Sequence, residues 1–359
     1  MLMMRTHKSN DRGIAVIIAV TTIALLVTMV IELNRKTGTA AESASIFKQR
    51  ATLDYMTSSG IHMAMAILVK DKKDTDSDSL QEDWADPEVI RNAMDELSFE
   101  EGTIEVRITD ELARIQINAL VEFPDSRKFN QSQMLMWERF LGYLRPDEGL
   151  SDDDTMPSAI INSTKDWLDS NDDDAISGVN GAESDYYRGL DPPYSPQNGP
   201  FDSVDSFLLV KGVAELMEGI GGFDQVAGYI THHGMIMNED KKMSFPGEIN
   251  INTAELPVLA ALLPQGEELL AMDLIAWREE MSDENYTHDL KNPKWYQNVP
   301  GLAGITIDPK LITTESDLFR IEATAAVHEK ILTTTAVVKR EKEKKTGKYI
   351  CKALYWKSE

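Results

Sequence analysis

The hydropathy pattern is dominated by one uninterrupted apolar run, Ile14 to Ile31, reading IAVIIAVTTIALLVTMVI: 18 residues with no charge, Gly or Pro. A run of about 17–25 apolar residues spans a bilayer as a helix, because only a helix satisfies its own backbone in hydrocarbon. Thr21, Thr22 and Thr28 are its polar groups, and their hydroxyls can bond back to helix carbonyls. Arg5, Lys8 and Arg12 precede the run against Asp11 alone. Basic flanks stay cytoplasmic, so everything after Glu32 lies outside the cytoplasm. Helical spacing then continues from Glu32 to Asp71 through Ile46, Leu53, Met56, Ile61, Met65 and Leu68, with Gly38 and Gly60 as possible bends.

Beyond 71–97, polar and acidic before turning weakly helical, the period changes to two. Val106 and Ile108, then Ile115 and Ile117, alternate with polar residues and predict a hairpin. Helix patterns follow at Ser132–Tyr143 and Ser158–Leu168. Two helix–turn–helix units are expected at Phe201–Thr231 and Ile251–Glu280, with Asp202 or Ser203 and Thr253 as N-caps. The C-terminus returns to strands in LFRIEATAAV, KILTTTAVVKRE and KYICKALYWK, with a turn at Lys345–Gly347. This β, α, β order predicts an α+β fold in which a helical domain interrupts one antiparallel sheet.

Composition narrows the function. Among 359 residues, 60 acidic against 36 basic leave a net charge of -24. Such a surface repels nucleic acid. The single cysteine, Cys351, excludes an intrachain disulfide. The two helical units resemble helix-hairpin-helix modules, but acids outnumber bases around both, so they read as packing architecture rather than a DNA site. No GxSxG, P-loop or GxGxxG motif is present. His232-His233, read as neighbours pointing apart on a helix, have no accompanying Cys or HExxH and suit a surface or helix-end role.

A signal peptidase would need small residues after the apolar run, and Ile31-Glu32-Leu33-Asn34-Arg35 has none. A different junction precedes it. Asp11-Arg12-Gly13 followed by Ile14 resembles the leader of type IV prepilins and pseudopilins, which implies cleavage between Gly13 and Ile14 by a prepilin peptidase and methylation of the new amine. The leader carries +2, so the mature chain would carry -26. Most members have Glu as fifth mature residue, where this chain has Ile18. That absence is typical of the K-type minor pseudopilin assigned to the tip, since a subunit with no neighbour above it needs no carboxylate to neutralise the neighbour's amine.

The resemblance extends along the chain. TDELARIQINAL (109–120), the DWLD…GAE…YY…LDPPY…NGP stretch (166–200), SVDSFLLVKGV (203–213), ININTA (249–254) and LFRIEA (318–323) stand in the order of the general secretion pathway protein K family. Residues 71–97 and 281–310 match no such motif. The resemblance implies a leader at 1–13, a transmembrane helix at 14–33, the helix continuation and first sheet part at 34–125, an inserted SAM-like helical domain at 126–310 and a C-terminal β part at 311–359. It implies a non-enzymatic tip subunit of the type II secretion pseudopilus. Its partners would be the I and J minor pseudopilins, the major pseudopilin and the prepilin peptidase. It would cross the inner membrane once, N-terminus inside, with its body in the periplasm. A minor pilin of a type IV pilus and a membrane-anchored periplasmic hydrolase with paired carboxylates are the alternatives.

The densest acidic segment runs from Asp166 to Tyr187. Clustered carboxylates repel unless solvated or bridged by a cation, and oxygen ligands in a Gly-rich loop suit calcium. Asp169, Asn171 and Asp173 imitate the start of an EF-hand, but Asp174 stands where Gly is needed and Asn180 at the twelfth position. An irregular site is expected instead, with Asp169, Asn171, Asp172, Asp174, Glu183 and Asp185 as candidate ligands. Calcium in the helical domain is also what the resemblance implies, with the family's GAE motif at 181–183.

Overall fold

The computed structural model describes residues 11–124, 126–144, 156–170, 176–238, 240–283 and 285–359. Helix α1 (Asp11–Asp74) runs unbroken through Gly38 and Gly60. In its apolar third the hydroxyls of Thr21, Thr22 and Thr28 donate to the carbonyls of Ile17, Ile18 and Ala24 at 2.7–2.9 Å. Every side chain described from Gly13 to Ile31 is exposed, as a lipid-facing helix requires. From Leu53 onward α1 buries Leu53, Met56, Ile61, Ala64 and Leu68. Ile46 remains exposed and Met65 half-buried, so the packed stripe starts later than the periodicity suggested. Gly60 is needed for close approach rather than as a bend: a Cβ there would meet Ile104 and Val106 at 2.5 and 2.8 Å.

α1 packs on a four-stranded antiparallel sheet. Its order is β1 (Thr103–Asp110), β2 (Leu318–Val327), β3 (Lys330–Lys342) and β4 (Tyr349–Ser358). Strands β2 to β4 lie where the alternation placed them. The hairpin expected over 106–117 does not form. β1 pairs with β2, Ile108 facing Ile321 and Asp110 facing Phe319. Ile115-Gln116 pairs instead, in parallel, with Ile230-Thr231. The reason is visible in the burial: Ile115, Gln116 and Ile117 are all buried, so no solvated face exists for a hairpin to present. Short helix α2 (Pro87–Asp95) covers β1. Trp84 sits edge-on against Phe319, ring centroids 5.2 Å apart.

The chain leaves the sheet after Asp110 and returns at Leu318. Because Asp110 and Phe319 are register partners, the two ends of the insertion lie side by side, and the sheet closes across it. The insert therefore begins earlier than 126. It contains α3 (Gln131–Leu144), α4 (Met156–Leu168), α5 (Ser184–Arg188), α6 (Val213–Gly219), α7 (Asp224–Ala227), α8 (Leu256–Leu262) and α9 (Ala271–Arg278). Its core is separate from that under the sheet, and includes Trp137, Phe140, Trp167, Tyr187, Phe207 and Trp295. Trp167 stacks on Phe201 at 5.9 Å. Ile249-Asn250 pairs in parallel with Ile312-Thr313, tying the far part of the insert back to its exit.

Contacts along α1 orient the whole. Thr334 bonds Thr57, while Arg340 reaches Leu68 and Asp71. β3 thus runs outward with α1, and Asp110, beside Phe319 and Val338, lies toward the end of the sheet farthest from the apolar span.

Candidate functional site

The residues that join insert to sheet form a buried polar network. Asp110 accepts hydrogen bonds from Asn250 Nδ2 and Thr253 Oγ1 at 2.7 Å, Ser316 Oγ at 2.6 Å and the Leu112 amide at 2.8 Å. Burial pushes its carboxyl up to about 6 against those donors. Thr253 is therefore not the expected N-cap, its hydroxyl being committed to Asp110; Glu255 occupies the cap position of α8. Next to it, Glu111 receives Arg320 at 2.8 and 2.9 Å, Arg114 at 2.8 Å and Thr231 Oγ1 at 2.6 Å. Burial alone would raise Glu111, but Arg114 and Arg320 outweigh it and hold the carboxyl near 2.

A second knot lies at the end of α1. Arg340, almost fully buried, donates to the Leu68 carbonyl and Asp71 at 3.0 Å, to the Ser316 carbonyl at 2.8 Å and to Asp78. Asp78 also receives the Ser316 amide at 2.8 Å, and its carbonyl accepts Asn250 at 2.9 Å. Asp71, Asp78 and Glu82 come close enough to hold a metal ion, but Arg340 already supplies the cation to the two aspartates. Burial, followed by Asp78, raises Asp71 to about 6; burial and Asp71 raise Glu82 to about 7.

These contacts give structural roles to motifs that had none in the sequence. Asn250 and Asn252 of ININTA stitch Asp78, Leu290 and Trp295 together. Asn118 of TDELARIQINAL holds Phe201 through both its amide and carbonyl, at 2.7 and 3.1 Å. The usable signal was polar residues embedded in apolar strings: a buried amide or carboxylate is costly unless paired.

In the acidic loop, Asp166 accepts from the amides of Ser177 at 3.0 Å and Ala182 at 2.9 Å, closing the neck. A Cβ at Gly181 would collide with Asp166 Oδ2, which explains the Gly of GAE. Lys165 lies 3.5 Å from Asp169 and donates to Ser177 Oγ at 2.7 Å. Asp169 and Glu183 are both buried, each 7% exposed. Asp185 is not gathered with them: its side chain is 87% exposed and 3.8 Å from Arg188. Asn171, Asp172 and Asp174 lie outside the described residues. Two buried carboxylates at the neck of a glycine-containing acidic loop fit a hard cation; Asp185 fits it poorly.

His232 and His233 are not on a helix. They follow the short strand Ile230–Thr231, with ring centroids 3.9 Å apart rather than pointing away from each other. Burial and then His232 lower His233 to about 4, burial also lowers His232, and His233 packs beside Tyr355. At the N-terminus, Gly13, Ile14 and Ile18 all lie on α1, and Ile14 and Ile18 are exposed at 60% and 59%.

Residues 113–218 match the family model for protein K of the type II secretion system (T2SS). A type II secretion system protein K of Pseudomonas aeruginosa is 28% identical over 186 residues, covering 52% of this chain and 46% of that protein, so the match spans about half the relative's length. Among solved structures, a chain of the GspK-GspI-GspJ complex from the type 2 secretion system of enterotoxigenic Escherichia coli is similar. It has a TM-score of 0.61 and 17% identity, and the match covers 89% of this chain and 99% of that one, a likeness of fold. The family model, the relative and the fold thus agree on one likeness: the chain is similar to protein K of type II secretion systems.

Proposed function

We propose that the protein is a minor pseudopilin that caps the type II secretion pseudopilus, starting its assembly and supporting export of folded proteins across the outer membrane. The observation that carries this reading is the position of the insert. A pilin-type helix and sheet can repeat along a filament, packed helix to helix. A helical domain hung from the outer end of the sheet, at Asp110 and Leu318, blocks the space the next subunit would take. One copy at the end is the arrangement that accommodates it. Ile18, in place of a carboxylate, supports the same placement, because an unpaired charge in hydrocarbon is costly.

In this reading α1 crosses the inner membrane once, with the N-terminus in the cytoplasm and the body in the periplasm. The prepilin peptidase cleaves between Gly13 and Ile14 and the new amine is methylated. The I- and J-type minor pseudopilins pack beside the protein, by analogy with the GspK-GspI-GspJ complex of enterotoxigenic Escherichia coli, and the major pseudopilin follows. The role is structural, not catalytic. Asp169 and Glu183, with Asn171, Asp172 and Asp174, would hold calcium, a group that supplies charge neutralisation to the loop and no chemistry.

The test is processing and secretion in cells. Mass spectrometry of the extracted protein should show Ile14 as the first residue, and Gly13→Leu should block cleavage; an intact Met1 terminus beside an active peptidase overturns the processing assignment. Deletion should abolish export while leaving no enzymatic activity missing. Ile18→Glu should leave secretion unimproved, and a gain in secretion would count against tip placement.

A further inference from the structure

Strand β4 ends the sheet with one side open. Thr333 and Glu359 exchange hydrogen bonds of 3.1 and 2.9 Å. Bonded and non-bonded pairs alternate along an antiparallel ladder. Ser358, opposite Thr334, and Trp356, opposite Ala336, therefore turn their backbone groups outward. No strand lies alongside among the described residues. The strand also exposes Leu354, Tyr355 and Trp356, by 55%, 37% and 41%. Beside it a cleft of about 530 Å³ separates the β3–β4 hairpin from the insert. Lys342, Tyr349 and Leu354 form one wall, Met235, Ile236 and Pro246 the other.

Charge distinguishes this region from the rest of the molecule. Residues 339–359 hold eight basic and three acidic side chains, in a chain whose net charge is -24. Three of the four acids lining the cleft are matched, Asp317 by Lys339 at 3.2 Å, Glu315 by Lys72 at 3.1 Å and Glu341 by Lys352, while Glu248 on the insert side makes no ion pair among the described residues. Lys342, Lys344, Lys345 and Lys348 are exposed and make no ion pair among the described residues. They cluster at the turn beyond Arg340, at the outer end of the sheet.

We propose that the free edge of β4 and the adjoining cleft receive an extended acidic segment of a different protein, which adds a fifth strand to the sheet. Main-chain bonds to the open edge would give affinity, the cleft would take alternate side chains, and the lysines would select for acid. A second copy of this chain is a poor occupant. Two copies side by side would each bring eight basic against three acidic side chains to the same seam, and like charges facing each other destabilise a sheet. The inner-membrane surface is out of reach. A helix rising about 1.5 Å per residue from Glu32 to Asp71 places the turn on the order of 60 Å away, many times the roughly 8 Å over which such charges act at physiological salt. Lysines on an edge strand deter chance pairing; here the same charges make an acidic strand the one that is admitted.

The experiment uses the full chain in detergent micelles and two fluorescent peptides about ten residues long, one alternating Glu with Val and one alternating Lys with Val. Anisotropy should show binding of the Glu–Val peptide, weakening with salt, and none of the Lys–Val peptide. Lys344→Glu with Lys345→Glu and Lys348→Glu should weaken that binding by about tenfold or more. Should that variant misfold, the same positions as Gln serve. Ser358→Pro, which removes an outward N–H and leaves the ladder to β3, should weaken it as well. Equal binding of both peptides, or binding untouched by the lysine changes, overturns the proposal. So does a doubling of mass in light scattering that blocks peptide binding, or binding to phosphatidylglycerol vesicles with no peptide bound.

Discussion

Two groups of carboxylates in this molecule meet the same electrostatic problem with different means. At the sheet–insert junction, Asp71, Asp78 and Glu111 are buried but each is met by arginine, from Arg340, Arg114 or Arg320. Between Asp166 and Asp185 the chain places seven acids and no Lys or Arg. Lys165, on α4, lies by Asp169, and Lys211, in the turn before α6, donates to the carbonyls of Asn180 and Gly181. The first group carries its cations in the sequence and is complete as folded. The second meets its charge mainly with backbone amides on Asp166 and a single lysine on Asp169. The comparison separates a structural acid cluster from a candidate ion site better than acid density does.

The largest expected effect comes from breaking the first group. Arg340→Ala leaves Asp71 and Asp78 buried with their main cation gone. Removing one partner of a buried pair costs about 3–5 kcal/mol, so urea unfolding of the full chain should show a loss of that size. Adding Asp71→Asn and Asp78→Asn should recover part of it. If Arg340→Ala alone is neutral, the junction is not held as described.

Calcium sharpens the contrast from the other side. An ion that binds only the folded chain stabilises it by about 2.7 kcal/mol at roughly a hundred-fold excess over Kd. Calcium should raise the melting temperature and EDTA should lower it. Magnesium should substitute poorly, since it demands a tight octahedral shell. Asp169→Ala with Glu183→Ala should abolish the response while leaving the sheet folded. Calorimetry that finds neither heat nor a melting shift at millimolar calcium would make the loop a solvated acidic surface.

The smallest effect concerns pH. Glu82 is raised from 4.5 to about 7 in the folded protein, so folding favours its protonated form. That contribution is complete below the unfolded value and is lost as pH rises through about 7. Asp71, raised from 3.8 to about 6, acts in the same direction. Melting temperature should therefore fall between about pH 4.5 and 7, and Glu82→Gln should flatten the slope. An unchanged slope in Glu82→Gln would remove Glu82 from the account.

Legibility varied with the range of the interaction. The span from Ile14 to Ile31 and strands β2 to β4 were readable because each is set by residues a few positions apart. The hairpin over 106–117 was misread because alternation identifies a strand but not its partner, and β1's partner lies beyond the insert. In the acidic loop, Asp169 and Glu183 are buried while Asp185 is exposed, a distinction that composition does not carry. His232 and His233 were misjudged for the same reason: a helical spacing rule fails where the local backbone is a strand end.

What the sequence by itself determined is local and periodic: a membrane-crossing helix, its amphipathic continuation, the C-terminal strands, and a family resemblance carried by motif order. What only the tertiary structure decided is which distant groups meet. Asp110 with Asn250, Thr253 and Ser316, Glu111 with Arg320, and Arg340 with Asp78 are each separated by a long stretch of chain or by the whole insert. The cost of burying each charge is offset only by a partner that local periodicity does not reveal, so the junction that fixes the insert to the sheet becomes visible only in the fold.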